Sequence, residues 1–203
     1  MGEKISRRGA DAQRGRCRFV FSAPLRLCVS TGLFAIWVTC GQPACSRNAV
    51  SSKPQDLEVK ASVFIFTLTD CPICNAYAPE LNRLYDEFFK RGVNMVMVPV
   101  DTDITFERFI AHREKYDIRM PFVLDPNGDW IERAGATTAP EAALFSPSGE
   151  LLYRGRIDDQ YAGLGKRRTV VTSHDLRDAL EAILAGKPVR EPRTEAVGCP
   201  IPK

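Results

Sequence analysis

Thr69-Asp70-Cys71-Pro72-Ile73-Cys74-Asn75-Ala76-Tyr77-Ala78-Pro79 places two cysteines two residues apart where an apolar strand gives way to a helix. Upstream, Val63-Phe64-Ile65-Phe66 is a continuous apolar run of the kind a strand covered on both faces shows. Downstream, Tyr77, Leu81, Leu84, Tyr85 and Phe88 recur at helical spacing and give the helix one buried face. Cys71 therefore falls at a helix N-terminus, where unpaired backbone N–H groups and the macrodipole can lower a thiol pKa from about 8.5 into the range of roughly 3.5–7.5. That placement reads as a nucleophilic, disulfide-forming pair. No second C-x-x-C or His pair follows at finger-like spacing, so half a zinc site is the lesser reading, and no metal or cofactor is expected.

The rest of the chain reads as scaffold. Residues 46–56 are polar and contain Pro54, as a linker would. Val59–Leu68 is the first strand, the Cys71 helix runs to about Lys90 before Gly92, and Val93–Val100 is a second apolar strand. This makes a βαβ unit, whose crossover is expected to be right-handed. Asp101, Thr102 or Asp103 can cap a helix through about Tyr116, with Phe106, Phe109 and Ile110 inward. Phe122-Val123-Leu124 follows, then the turn Asp125-Pro126-Asn127-Gly128, the strand Ala142–Phe145, the turn Ser146-Pro147-Ser148-Gly149 and the strand Leu151–Tyr153. Both turns carry Pro second and Gly fourth, a type I signature, and the last two strands form a hairpin. Thr172 or Ser173 caps a final helix with Leu176, Leu180, Ile183 and Leu184 on one face, ended by Gly186 and Pro188.

Cys71 to Pro79 fit the pattern C-x-x-C-x-x-x-A-P, and with this order of elements the chain resembles the thioredoxin superfamily. The helix and short strand between the βαβ unit and the hairpin are the insertion that redoxins, the thiol-specific antioxidant group and membrane-tethered thioredoxin-like proteins share. The resemblance covers about residues 57–187. It implies an α/β thioredoxin-like fold, a central mixed sheet flanked by helices, with a redoxin-type insertion. It further implies that Pro140, in Thr138-Ala139-Pro140-Glu141, is a cis-proline facing the cysteines, so that the backbone of Ala139 binds an extended substrate. Two departures stand out. Ile65 occupies the position of the family's buried acid, and Asp70 replaces the tryptophan before the first cysteine. A carboxylate beside Cys71 is expected to raise its pKa relative to a neutral neighbour, and Asp70 reads equally well as a solvated N-cap.

The resemblance implies a thiol–disulfide oxidoreductase in which Cys71 attacks and Cys74 resolves, with protein thiols, disulfides and a redox partner protein as its counterparts. A peroxiredoxin-like thiol peroxidase is an alternative, but Phe64 and Leu68 stand where that class carries its Pro and Thr, so little peroxidase activity is expected. A copper-handling thioredoxin-fold chaperone would need His112 or His174, the chain's two histidines, beside the cysteines. The first reads as a helix-surface residue. A docking module with a merely structural disulfide is the remaining class.

Charge and cysteines set the compartment. The first 26 residues hold seven basic side chains against Glu3 and Asp11, so the overall net charge of +3 leaves a slightly acidic body with no footprint for nucleic acid. Leu27 to Cys40 is uncharged and mostly apolar, long enough for a signal-peptide core and short of the ~18–20 residues of a spanning helix. Residues 1–45 are thus expected to be an export signal or a membrane anchor, with Cys45 offering a weak lipoprotein site, and the mature protein to be periplasmic or extracytoplasmic. Cleavage would leave Cys71, Cys74 and Cys199. Residues 188–203, with Pro188, Pro192, Pro200 and Pro202, read as a semi-extended tail without apolar periodicity, whose burial is not expected. Cys199 reads first as part of a passive tail, second as a candidate third redox thiol exchanging with the Cys71–Cys74 pair, and third as a site of intermolecular disulfide formation. The irregular stretch from Arg154 to Arg168 reads either as a charged surface loop or as a partner-docking surface.

Overall fold

The computed structural model describes residues 58–202; the expected export signal and linker lie outside the described residues. β1 (Ala61–Thr67) is buried along nearly its whole length, as its apolar run demands. α1 (Pro72–Ala76) and α2 (Ala78–Phe89) follow, then β2 (Val93–Pro99). The single helix expected here is two. Pro79 has no N–H to donate to the carbonyl of Asn75, and its ring crowds that carbonyl, so the helix restarts at Tyr77. α2 then buries Leu81, Leu84 and Phe88 against the sheet.

α3 (Phe106–Lys115) is capped by Thr105, whose hydroxyl accepts from the N–H of Arg108, and not by Asp101, Thr102 or Asp103. Asp101 is occupied elsewhere, as described below. Phe109 is fully buried, but Phe106 is 56% exposed, so the inward face is narrower than its aromatic spacing indicates. α4 (Asp129–Ala134), β3 (Thr138–Ala139), β4 (Glu141–Phe145) and β5 (Leu151–Gly155) complete the main body. The central sheet has the order β2-β1-β4-β5, with β1 and β2 parallel and the β1–β4 and β4–β5 pairs antiparallel. Both proline turns close as expected, Gly128 donating to the Asp125 carbonyl at 3.1 Å and Gly149 to that of Ser146 at 2.9 Å. The inserted segment adds a single parallel bridge, Phe122 to Met97, at the β2 edge.

The stretch after β5 is built, not irregular. β6 (Tyr161–Gly163) and β7 (Lys166–Arg167) form a small hairpin. Its base is pinned by two buried carboxylates: Asp158 accepts from the Tyr77 hydroxyl at 2.6 Å, and Asp159 from the N–H and hydroxyl of Thr172 and the N–H of Ser173. Those bonds draw Asp159 well down, to about 2. With Thr172 and Ser173 so engaged, α5 (Asp175–Leu184) starts one residue later, at His174.

Residues after α5 return to the domain. Pro192 and Thr194 exchange backbone hydrogen bonds with Arg154 at the β5 edge, and the Thr194 hydroxyl meets that of Tyr153 at 2.7 Å. β8 (Cys199–Pro200) pairs antiparallel with β3. This corrects the expectation of a passive tail: Val189, Val197, Cys199 and Ile201 all pack on the core. They escape a sequence reading because prolines separate them and they follow no period.

Candidate active site

Cys71 is the N-cap of α1, in extended backbone conformation, with Pro72 opening the helix. A proline fits there because the N–H it lacks would be unpaired anyway. The loop leading in is held from β2's far end. The Asp101 carboxylate accepts from the Thr69 N–H at 3.1 and 3.2 Å and from its hydroxyl at 2.6 Å. Asn75 of α1 reaches back to the Thr69 carbonyl at 3.1 Å. Cys71 is thus fixed between a strand end and a helix start.

The two sulfurs have opposite electrostatics. Cys71 is drawn down to about 5, first by a hydrogen bond from the Cys74 thiol, against the cost of burial, and further by the Cys199 thiol and the N–H groups of Cys74 and Ile73. Cys74 is pushed far up, first by burial and then by donating to Cys71, although the Leu68 N–H, 3.5 Å from its sulfur, opposes this. The pair can therefore hold one thiolate and one thiol. Asp70, next to Cys71, faces solvent. Its side chain is 89% exposed, and its carboxylate lies 3.5 Å from the Arg108 guanidinium.

Ala139–Pro140 is a cis peptide, in the place the sequence reading assigned to it. The Ala139 carbonyl lies 3.6 Å from the Cys71 sulfur, close enough to accept from its S–H. The loop before it has a support that sequence reasoning missed. Glu141, 4% exposed, accepts from the N–H groups of Thr137 and Thr138 at 2.9 and 3.3 Å and lies 3.3 Å from the Arg154 side chain. The signal was available as one acid opening the otherwise apolar run Glu141-Ala142-Ala143-Leu144-Phe145.

Cys199 joins the site. Its Sγ is 2.8 Å from that of Cys71, with all three cysteines free, and burial together with the Cys71 sulfur pushes it up to about 11. His112, read as a surface residue, is instead buried between Phe109 and Tyr116, and burial first of all holds its pKa down. Ile65 is fully buried and offers no proton carrier.

A parallel βαβ unit, an antiparallel hairpin, a cysteine pair opening a helix and a cis-proline beside it define a thioredoxin-like fold with a dithiol centre. The chain belongs to the AhpC/TSA family, whose model matches residues 43–174. It is similar to thiol-disulfide oxidoreductase ResA of Halalkalibacterium halodurans, 28% identical over 99 residues, covering 48% of this chain and 54% of that one. ResA of Oceanobacillus iheyensis is 32% identical over 97 residues, 47% and 49% of the two chains. The chain spans about half the length of the curated relatives it matches. Among solved structures, an uncharacterized conserved protein from Geobacillus kaustophilus aligns with a TM-score of 0.63 at 26% identity, covering 71% of this chain and 77% of that one. A hypothetical protein from Sinorhizobium meliloti 1021 aligns with a TM-score of 0.62 at 27% identity, over 71% and 80%.

Proposed function

We propose that this protein is an exported thiol–disulfide oxidoreductase acting on protein disulfides through Cys71 and Cys74. The observation that carries the reading is the placement of the two thiols: Cys71 opens α1 beside the cis Ala139–Pro140 peptide with Cys74 buried behind it, an arrangement that draws Cys71 down to about 5 and pushes Cys74 up. At neutral pH Cys71 is a thiolate, the form that attacks a disulfide.

In the forward direction Cys71 Sγ attacks one sulfur of the partner disulfide, and the other leaves as a thiolate and takes up a proton. The mixed disulfide removes the charge on Cys71. Two of the effects that raise Cys74, its hydrogen bond to Cys71 and the Cys71 charge, then vanish, and only burial remains as a large opposing factor. Cys74 gives up its proton, attacks Cys71 Sγ and releases the second partner thiolate. The partner gains two electrons and the chain is left with a Cys71–Cys74 disulfide, which a dithiol donor returns to the reduced form. Ala139 and Pro140 supply the partner-binding edge. An extended segment pairs readily with such a backbone, as Cys199–Pro200 does with β3.

Export rests on the basic start and apolar stretch of residues 1–45. No helix among the described residues is long and apolar enough to cross a membrane. Fusing residues 1–56 to a phosphatase that requires disulfides for folding is expected to yield active reporter, and an inactive fusion would refute export.

The dithiol reading is tested by equilibrating the full chain in glutathione buffers, trapping thiols by alkylation and mapping peptides. A reversible Cys71–Cys74 transition and loss of insulin-disulfide reduction to background in Cys71→Ser are expected. Wild-type activity in Cys71→Ser would sink the proposal.

A further inference from the structure

The surface on which an extended partner would pair beside Cys71 is already taken. β8 occupies it with Cys199 opposite Ala139 and Pro200 opposite Thr138, and the Ile201 N–H donates to the Thr137 carbonyl at 3.0 Å. Cys71 is 2% exposed under this cover. A partner disulfide cannot reach its sulfur while the strand stays in place.

The seat is shaped for this segment. A side chain at Gly198 would run into the Ala139 carbonyl oxygen and come within 3.0 Å of Pro140, so only glycine allows the strand so near the cis-proline. Farther back, a side chain at Gly155 would collide with Thr194. The tail is therefore moored at the β5 edge by residues 192–194 and at β3 by residues 199–201. Cys199 is held between the second mooring and Cys71. Two mooring points and a matched glycine are more than a chance contact of one cysteine with another.

We infer that residues 198–201 are an intramolecular substrate strand, which covers the partner-binding edge in the resting protein and offers Cys199 as an alternative disulfide partner for Cys71. The inference rests on the oxidoreductase reading for its chemistry. After a partner disulfide has oxidised the centre, the Cys199 thiolate attacks Cys71 Sγ. The Cys71–Cys74 bond breaks as the Cys71–Cys199 bond forms, and Cys74 leaves with the electron pair and takes up a proton. The proton that Cys199 lost balances the one Cys74 gains. No electrons enter or leave, so no further oxidant is required. Burial raises Cys74, so the group released in this step is held as a neutral thiol. In the reduced state the strand must open before a partner can bind, so access to Cys71 is scaled by the fraction of open molecules.

Two variants separate cover from exchange. Gly198→Val lifts the strand but keeps all three thiols, and Cys199→Ser keeps the strand but removes the thiol. On the reduced full chain, iodoacetamide is expected to modify Cys71 about tenfold faster in Gly198→Val than in wild type, because the competent fraction rises. In glutathione buffers, wild type is expected to yield a Cys71–Cys199 peptide that Gly198→Val yields at a much lower level. Equal alkylation rates in the two proteins, or no Cys71–Cys199 peptide at any glutathione ratio, would overturn the inference. Neither readout needs turnover. The oxidoreductase reading stands or falls separately, on the Cys71–Cys74 disulfide in Cys199→Ser.

Discussion

At the residue scale, the decisive quantity is the thiolate at Cys71. Its pKa of about 5, well below that of an ordinary thiol, means that ultraviolet thiolate absorbance of the reduced protein should titrate with an inflection near 5. That inflection should be missing in Cys71→Ser, and its presence there would reassign the thiolate. Because Cys199 donates to Cys71, Cys199→Ala is expected to move the inflection upward. Linkage makes the same group a determinant of stability. A depressed value means the reduced fold binds fewer protons than the unfolded chain between about pH 5 and 9, so the stabilisation is complete above about 9 and lost as pH falls through about 5. Cys199, raised to about 11, behaves oppositely, its contribution being complete below about 9 and lost as pH rises through 11. The urea midpoint of reduced wild type, measured relative to Cys71→Ser, should therefore climb from pH 5 to pH 8. A flat difference would contradict the lowered value.

At the element scale, the site depends on where strands end and helices begin. The end of β2 delivers Asp101 to Thr69, and that carboxylate meets both the N–H and the hydroxyl of a residue only 7% exposed. Asp101→Ala leaves both donors without their acceptor and is expected to cost about 1–3 kcal/mol in urea unfolding. A loss below the error of that measurement would mean that water replaces the carboxylate freely. Thr105→Ala removes an N-cap and should cost about 1 kcal/mol with little effect on the dithiol, since α3 supports the cleft side of the site and not the sulfurs. The helix break at Tyr77 also has a use. It aims the Tyr77 hydroxyl at Asp158 and so ties the active helix to the base of the β6–β7 hairpin. Burial is the chief cause that pushes the Tyr77 phenol upward, so this bond keeps its proton at any pH the protein meets.

At the scale of the whole molecule, the fold stabilises the reduced form of the centre. A thiolate held by four hydrogen-bond donors loses that stabilisation when it enters a disulfide. The reduced protein should therefore unfold at higher urea than the oxidised protein at pH 7. Thioredoxin, whose cysteine has a pKa of about 7, has a potential of about −270 mV. With a lower thiol pKa, this protein is expected to lie above about −270 mV in glutathione equilibration. A more negative potential, or an oxidised form more resistant to urea, would mean that packing around the disulfide outweighs the thiolate.

The local features were legible in the sequence because their causes are local. Cys71, Cys74, Pro72 and the apolar run of β1 lie within a few residues of one another, and spacing alone places two sulfurs at the start of a helix behind a buried strand. The pairing of β4 with β5 was equally plain, since a Pro-and-Gly turn joins them. Pro140 became readable only by its register in the chain relative to the thioredoxin pattern. The sequence could not decide what the tail does. Cys199 and Cys71 are 128 residues apart, and the contacts that join them are a two-residue ladder and a glycine fitted against one carbonyl. Such contacts have no period. His112 was hidden for the same reason, since a helix histidine is buried by the aromatic rings that close over it, whereas Glu141 was visible as the one acid of an apolar run and only the loop it holds was not. The sequence determined a dithiol on a helix, and only the tertiary structure decided that residues 198–201 lie across it, because long-range burial is a property of the assembled surfaces.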